Sequence, residues 1–128
     1  MPTVYSDVLL DHFRNPRNVG SLPAPDISYE SFNPLCGDRI RIEIGLDGNE
    51  IRTARFQGDG CAISLAAASL LTEMIVGSDI SPVEIFSAEQ LLSSLECKIQ
   101  PARVKCALLP LEALRSGVRR YKEAGSKE

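Results

Sequence analysis

The chain has 128 residues, enough for one domain with a modest core of its own and no need of covalent staples. Hydrophobic residues make up 44% and charged residues 24%, which excludes a wholly disordered or fibrous chain. The formal charge of −3, from 14 basic and 17 acidic side chains, speaks against broad binding of nucleic acid or of an anionic membrane.

Val4, Val8, Leu9 and Phe13 fall at helical spacing and predict a short amphipathic helix, closed by Asn15-Pro16 because proline disfavours its continuation. His12, the only histidine, reads as a helix-packing or surface residue on that helix. Residues 20–25 form a loop by their Gly, Ser and Pro content, and Ile27 to Phe32 has the β-branched and aromatic character of a strand. Ile40, Ile42 and Ile44 alternate with Arg39, Arg41 and Glu43, which predicts a strand with one buried and one wetted face. Leu46-Asp47-Gly48-Asn49 supplies a turn, and Ile51 to Phe56 returns, so residues 39–56 read as a hairpin within a three-stranded antiparallel sheet.

From Ala62 to Val76 the pattern turns small and apolar, a buried helix that stops at Gly77, with Ala66-Ala67-Ala68-Ser69 suited to close packing on the sheet. Ser81-Pro82-Val83-Glu84 and Ser87-Ala88-Glu89-Gln90 each carry helix-start signals and predict two short helical pieces. Val104 to Tyr121 places Leu108, Leu111, Leu114, Val118 and Tyr121 on one stripe of a final helix. Strands followed by helices predict a single α+β domain over residues 1–128, with helices packed on one face of the sheet.

No stretch nears the ~20 apolar residues that span a bilayer, and the N-terminus lacks a basic-then-apolar export pattern. A cytoplasmic, reducing setting is expected, where thiols act as metal ligands or nucleophiles more than as disulfides. Charge is uneven: residues 1–97 carry six basic against fourteen acidic side chains, and residues 98–128 eight against three. The basic tail reads either as a solvated helix face or as a docking surface for an acidic partner.

The four cysteines, Cys36, Cys61, Cys97 and Cys106, form no CxxC pair, so neither a zinc ribbon nor a thioredoxin-type motif is supported. Three of them lie at element boundaries, where loops converge. Cys36 sits in Asn33-Pro34-Leu35-Cys36-Gly37-Asp38, a tight turn that can aim a thiolate and the Asp38 carboxylate at one point. Cys61 opens the buried helix, where the helix dipole favours thiolate, and Cys106 is flanked by Arg103 and Lys105, which favour it too. Three thiolates and one carboxylate suit zinc or the iron of a cluster. Taken one at a time, each cysteine could equally be a small buried hydrophobe.

These motifs resemble the IscU/SufU family, the N-terminal domain of NifU, whose members serve iron–sulfur cluster assembly. The likeness runs from Tyr5-Ser6-Asp7 through Asn15-Pro16-Arg17-Asn18-Val19-Gly20, Cys36-Gly37-Asp38, Gly58-Asp59-Gly60-Cys61-Ala62-Ile63-Ser64 and the Cys106 region, in order. The resemblance implies a SufE/NifU-like fold, with Cys36, Asp38, Cys61 and Cys106 binding zinc or a labile [2Fe–2S] cluster. It implies Cys106 as acceptor of persulfide sulfur from a cysteine desulfurase of the SufS or IscS kind, Arg103 and Lys105 in support, and apo iron–sulfur proteins as recipients. Cys97 matches no family ligand.

IscU-type scaffolds carry a histidine before the third cysteine and a Leu-Pro-Pro-Val-Lys stretch; this chain has Lys105 and Ile99-Gln100-Pro101-Ala102-Arg103. The flanks of Cys36 and Cys106 look like SufU, yet the extra segment of SufU between the second and third cysteines is missing. The leading expectation is an assembly scaffold. The alternative is a zinc-dependent sulfurtransferase, an enzyme, that carries persulfide without building clusters, and a zinc-stabilised interaction domain stands third.

Overall fold

A computed structural model describes residues 5–34, 37–80 and 87–125. Helix α1 (Asp7–Arg14) leads to three strands, β1 (Ile27–Asn33), β2 (Asp38–Asp47) and β3 (Glu50–Asp59). Helices α2 (Ala62–Ile75) and α3 (Ala88–Ser94) follow, and a 3₁₀ turn, Pro101–Arg103, runs into the long α4 (Val104–Gly125). The sheet is antiparallel in the order β1-β2-β3, so the expected α+β architecture with its three-stranded sheet is present. The predicted helix start at Ser81-Pro82-Val83-Glu84 lies outside the described residues.

The isoleucine alternation in β2 builds the core. Ile40, Ile42 and Ile44 are at most 1% exposed and stand opposite Ser31, Tyr29 and Ile27 on one side and Gly58, Phe56 and Ala54 on the other. Helices α2 and α4 pack on this face, as expected for helices on one side of the sheet. Each fully buried Ile, Leu or Phe contributes roughly 1.5–3 kcal/mol by leaving water. Gly117 lets α4 lie close on β1, since a Cβ there would come within 2.9 Å of the Ile27 side chain. Among the described residues, no helix is long and apolar enough to cross a membrane.

The opposite face is not simply wetted. Glu43, expected on the exposed side, is 5% exposed; its carboxylate accepts a hydrogen bond from the Leu22 amide at 2.7 Å and lies 3.5 Å from Ser28 Oγ. The loop ahead of β1 crosses that face, and its backbone N–H needs an acceptor there. Just before it, the Phe56 amide donates to Asn18 O and the Gly20 amide to Phe56 O, so a short piece of chain pairs along the outer edge of β3.

The helix ends differ from the sequence reading in detail. Helix α1 begins at Asp7, capped by Ser6, whose Oγ accepts from the Leu9 amide. Leu9 and His12 face inward and Phe13 is 41% exposed, against the expectation that Phe13 shares the apolar stripe. Helix α3 is capped by Ser87, in a full capping box with Gln90, as its start signal predicts. Leu111, Leu114 and Val118 of α4 are buried as predicted, while Tyr121 is 38% exposed and the helix runs on to Gly125.

His12 is a packing residue. Its Nδ1 meets Ser69 Oγ of α2 at 2.8 Å and its Nε2 lies 3.5 Å from Glu73, while the Arg17 amide donates to the same Ser69 Oγ. Burial, and then the charge of Arg17, hold the imidazole below the ordinary histidine pKa, with Glu73 and Asp11 pulling weakly the other way. The unfolded chain therefore takes up a proton near pH 6.5 that the folded protein resists, and stability falls as pH drops through that value. The urea midpoint should decrease between pH 7.5 and 5.5, and decrease less in His12→Asn; an equal loss in both would assign the slope to other groups.

Candidate metal centre

Three element starts meet at one end of the sheet. Asp38 is the first residue of β2, held opposite Asn33 by a turn in which Gly37, at φ +77°, donates to Asn33 O at 2.8 Å. A side chain at 37 would strain this left-handed backbone. Cys61 is the N-cap of α2, two residues after β3 ends, and its own side chain makes no cap hydrogen bond. Cys106 is the third residue of α4, just after the 3₁₀ turn.

One carboxylate oxygen of Asp38 and the sulfurs of Cys61 and Cys106 all lie within 4.8 Å of one another. They line a cavity of about 430 Å³ together with Asn33, Ala102, Arg103 and Lys105. Cys36, two residues before Asp38, lies outside the described residues. Cys97 is half-buried against the core and is not part of the group.

The geometry has two further supports that sequence reading missed. Gly60 is the point of closest approach: a Cβ there would sit 2.3 Å from Ser64 Oγ and 3.2 Å from the Asp38 carboxyl carbon. Only the missing side chain lets the end of β3 pass between Asp38 and α2. Ser64, fully buried, donates to the Cys61 carbonyl at 3.1 Å and lies 3.8 Å from the Cys61 sulfur. A serine three residues into a helix whose N-cap is cysteine was the available signal, since such hydroxyls bond back one turn.

The charges are arranged around the sulfurs rather than beside Cys106 alone. Arg103 is exposed, and its pKa is raised first by a hydrogen bond to Cys61, then by the charges of Cys61 and Cys106. The sequence places Arg103 next to Cys106; the 3₁₀ turn swings it toward Cys61. Lys105 is exposed on the wall of the same cavity. Cys106 itself is only 3% exposed: the first turn of α4 folds it inward.

Asp38 decides what this arrangement can hold. It is 5% exposed, and its Oδ2 is buried with no hydrogen-bond partner among the described residues. A buried carboxylate oxygen without a donor is costly unless a cation satisfies it. Two soft sulfurs next to an unsatisfied hard oxygen fit zinc or cluster iron, which accept such mixed sets, better than magnesium or calcium, which prefer oxygen alone.

Residues 4–128 match the family model described as the NifU-like N terminal domain. The chain belongs to this family. The zinc-dependent sulfurtransferase SufU of Bacillus subtilis (strain 168) is 40% identical over 135 residues, covering 92% of this chain and 91% of that protein. The iron–sulfur cluster assembly scaffold protein IscU of Haemophilus influenzae is 34% identical over 122 residues, covering 92% and 95%. Among solved structures, FiSufU of the SUF system from thermophilic Fervidobacterium islandicum AW-1 superposes with a TM-score of 0.79 at 27% identity, over 89% of this chain and 96% of that one. The alignment with the B. subtilis SufU is longer than the 128 residues of this chain, so that relative carries residues with no counterpart here.

In a protein of the NifU-like family built this way, Gly60→Ala should push Asp38 and Ser64 apart. Zinc affinity, measured by competition with a chromophoric chelator, is expected to fall roughly ten- to a hundredfold. The far-UV spectrum should persist, and an unchanged affinity would mean that Gly60 does not set the site.

Proposed function

We propose that this protein is an iron–sulfur cluster assembly scaffold, which accepts persulfide sulfur from a cysteine desulfurase on Cys106 and holds a labile [2Fe–2S] cluster, or zinc, on Cys36, Asp38, Cys61 and Cys106. The observation that carries the reading is the convergence of Asp38, Cys61 and Cys106 within 4.8 Å around a carboxylate oxygen that nothing else among the described residues satisfies. The IscU relatives support it, as does a cavity larger than a single ion needs. The reading places the chain in a reducing cytosol, with a SufS- or IscS-like desulfurase as donor and apo iron–sulfur proteins as recipients.

Sulfur acceptance is a thiolate–persulfide exchange. The Cys106 thiolate attacks the outer sulfur of the desulfurase persulfide; a new S–S bond forms on Cys106, the old one breaks, and the desulfurase cysteine leaves as a thiolate. The exchange consumes no external oxidant or reductant. Arg103 stabilises negative charge on the sulfurs, and Lys105 offers a second cation at the cavity wall. A bound zinc would keep the thiols ionised between turnovers. Asp38, the one oxygen ligand, would hold cluster iron by the bond that exchanges most easily, which makes it the natural point of release for a cargo that must be handed on.

The 40% identity to a zinc-dependent sulfurtransferase supports a second reading, in which the protein passes sulfur onward without building a cluster. Anaerobic protein supplied with a cysteine desulfurase, cysteine and ferrous iron distinguishes the two. The scaffold should develop visible absorbance and bind iron; a colourless product that keeps one zinc and still stimulates the desulfurase would establish sulfur transfer alone. Cys106→Ser should lose sulfur acceptance under either reading, and acceptance at the wild-type rate would remove Cys106 from its role. Asp38→Ala should hold its cluster several-fold longer than wild type on exposure to air, followed by visible absorbance; faster loss would contradict a release role for Asp38.

A further inference from the structure

The outer sulfur of a persulfide is zero-valent, whereas the sulfur built into a cluster is sulfide, richer by an electron pair. If sulfide forms on this chain, a group beside Cys106 has to supply that pair. The structure puts a second thiol there. The Cys61 sulfur lies within 4.8 Å of the Cys106 sulfur, and both residues line one cavity of about 430 Å³.

Burial distinguishes the two sulfurs of a persulfide on Cys106. Its own sulfur, the inner one, belongs to a residue that is 3% exposed and is closed to thiols in solution, while the cavity has room for the outer one. Cys61 is half-buried at the N-cap of α2, and its side chain is not spent on capping that helix. Its sulfur has Ser64 Oγ as a neighbour at 3.8 Å and the Cys106 sulfur across the cavity. A nucleophile held this close acts at an effective concentration that no free thiol reaches.

We propose that Cys61 is the resolving thiol of the site: it attacks the inner sulfur of a Cys106 persulfide and releases the outer sulfur as sulfide. This rests on the sulfur-accepting role proposed for Cys106. The Cys61 thiol gives its proton to water, and its thiolate forms an S–S bond to the Cys106 sulfur. The bond from Cys106 to the outer sulfur breaks, and that sulfur leaves as hydrosulfide, with the electron pair and its own proton. The two cysteines are oxidised to a disulfide and the outer sulfur is reduced, so the step needs no external oxidant or reductant. Hydrosulfide is a weaker base than an alkyl thiolate and leaves readily. Attack on the outer sulfur by a partner's thiolate passes the sulfur on unreduced, so the choice of sulfur attacked separates sulfide supply from sulfur transfer. The disulfide and a bound metal exclude one another because they use the same two sulfurs, and a dithiol reductant reopens the pair.

Full-length, metal-free protein, loaded with sulfur by an immobilised desulfurase and cysteine, separated from both and left without reductant, tests the inference. Wild type should release sulfide equal to the persulfide loaded, and peptide mass spectrometry should find Cys61 joined to Cys106. For each persulfide loaded, Cys61→Ser should keep it at least about tenfold longer. Dithiothreitol should then restore free thiols and zinc binding to the wild type. Equal persulfide lifetimes, migration of the persulfide to Cys61, or a disulfide to Cys36 or Cys97 in place of Cys61 would overturn the proposal.

A second test needs neither desulfurase nor variant. Diamide, a small-molecule thiol oxidant, should join Cys61 to Cys106 in metal-free wild type before any pair with Cys36 or Cys97 forms, and another order of pairing would overturn the proposal. A wild-type protein that accepts no sulfur would count against the function proposed for Cys106, while the diamide pairing continues to judge Cys61.

Discussion

Ile40, Ile42 and Ile44 present one apolar row to both α2 and α4, and burying that row leaves neither helix free to slide along the sheet. The start of each helix is thereby brought to the end of the sheet where β2 begins. Asp38 is tied to that end by its pairing with Asn33, Cys61 by the short step from β3 into α2, and Cys106 by the 3₁₀ turn into α4. The sulfurs and the carboxylate are far apart in sequence, and hydrophobic packing makes them neighbours. A closely packed interior sets their spacing more firmly than single hydrogen bonds between the elements could.

Around that frame the site combines two demands. Holding a metal asks for buried, preorganised ligands, and Asp38 at 5% and Cys106 at 3% exposure meet that demand. In the proposed reading, giving the cargo away asks for an exchangeable ligand and a way in, and the single carboxylate and the open cavity suit both. The cost appears as a buried oxygen with no donor among the described residues. That departure falls at the site, where it has a use, rather than in the isoleucine core.

Much of this was legible in the sequence. The period of two in Ile40, Ile42 and Ile44 reads directly as a half-buried strand, and Gly48-Asn49 marks the turn that returns β3 beside it. The small residues of α2 announce close packing. The side chains that were misread depend on chain brought in from elsewhere. Glu43 is buried because the loop at Leu22 crosses over it, and at the end of α1 it is His12, against Ser69 of α2, rather than Phe13 that turns inward. At the site, the residue types of Asp38, Cys61 and Cys106 were readable. The inward turn of Cys106 and the clearance at Gly60 are three-dimensional facts that spacing does not encode.

The strip of chain that pairs with the rim of β3, through Phe56 with Asn18 and Gly20, has a bearing on what happens when the protein is empty. An outer strand with free N–H and C=O groups invites a neighbouring molecule to continue the sheet. A carrier that sheds its cargo passes through a state in which no ion joins its ligands. With the rim of β3 already occupied by its own backbone, that empty state offers one less template for joining others.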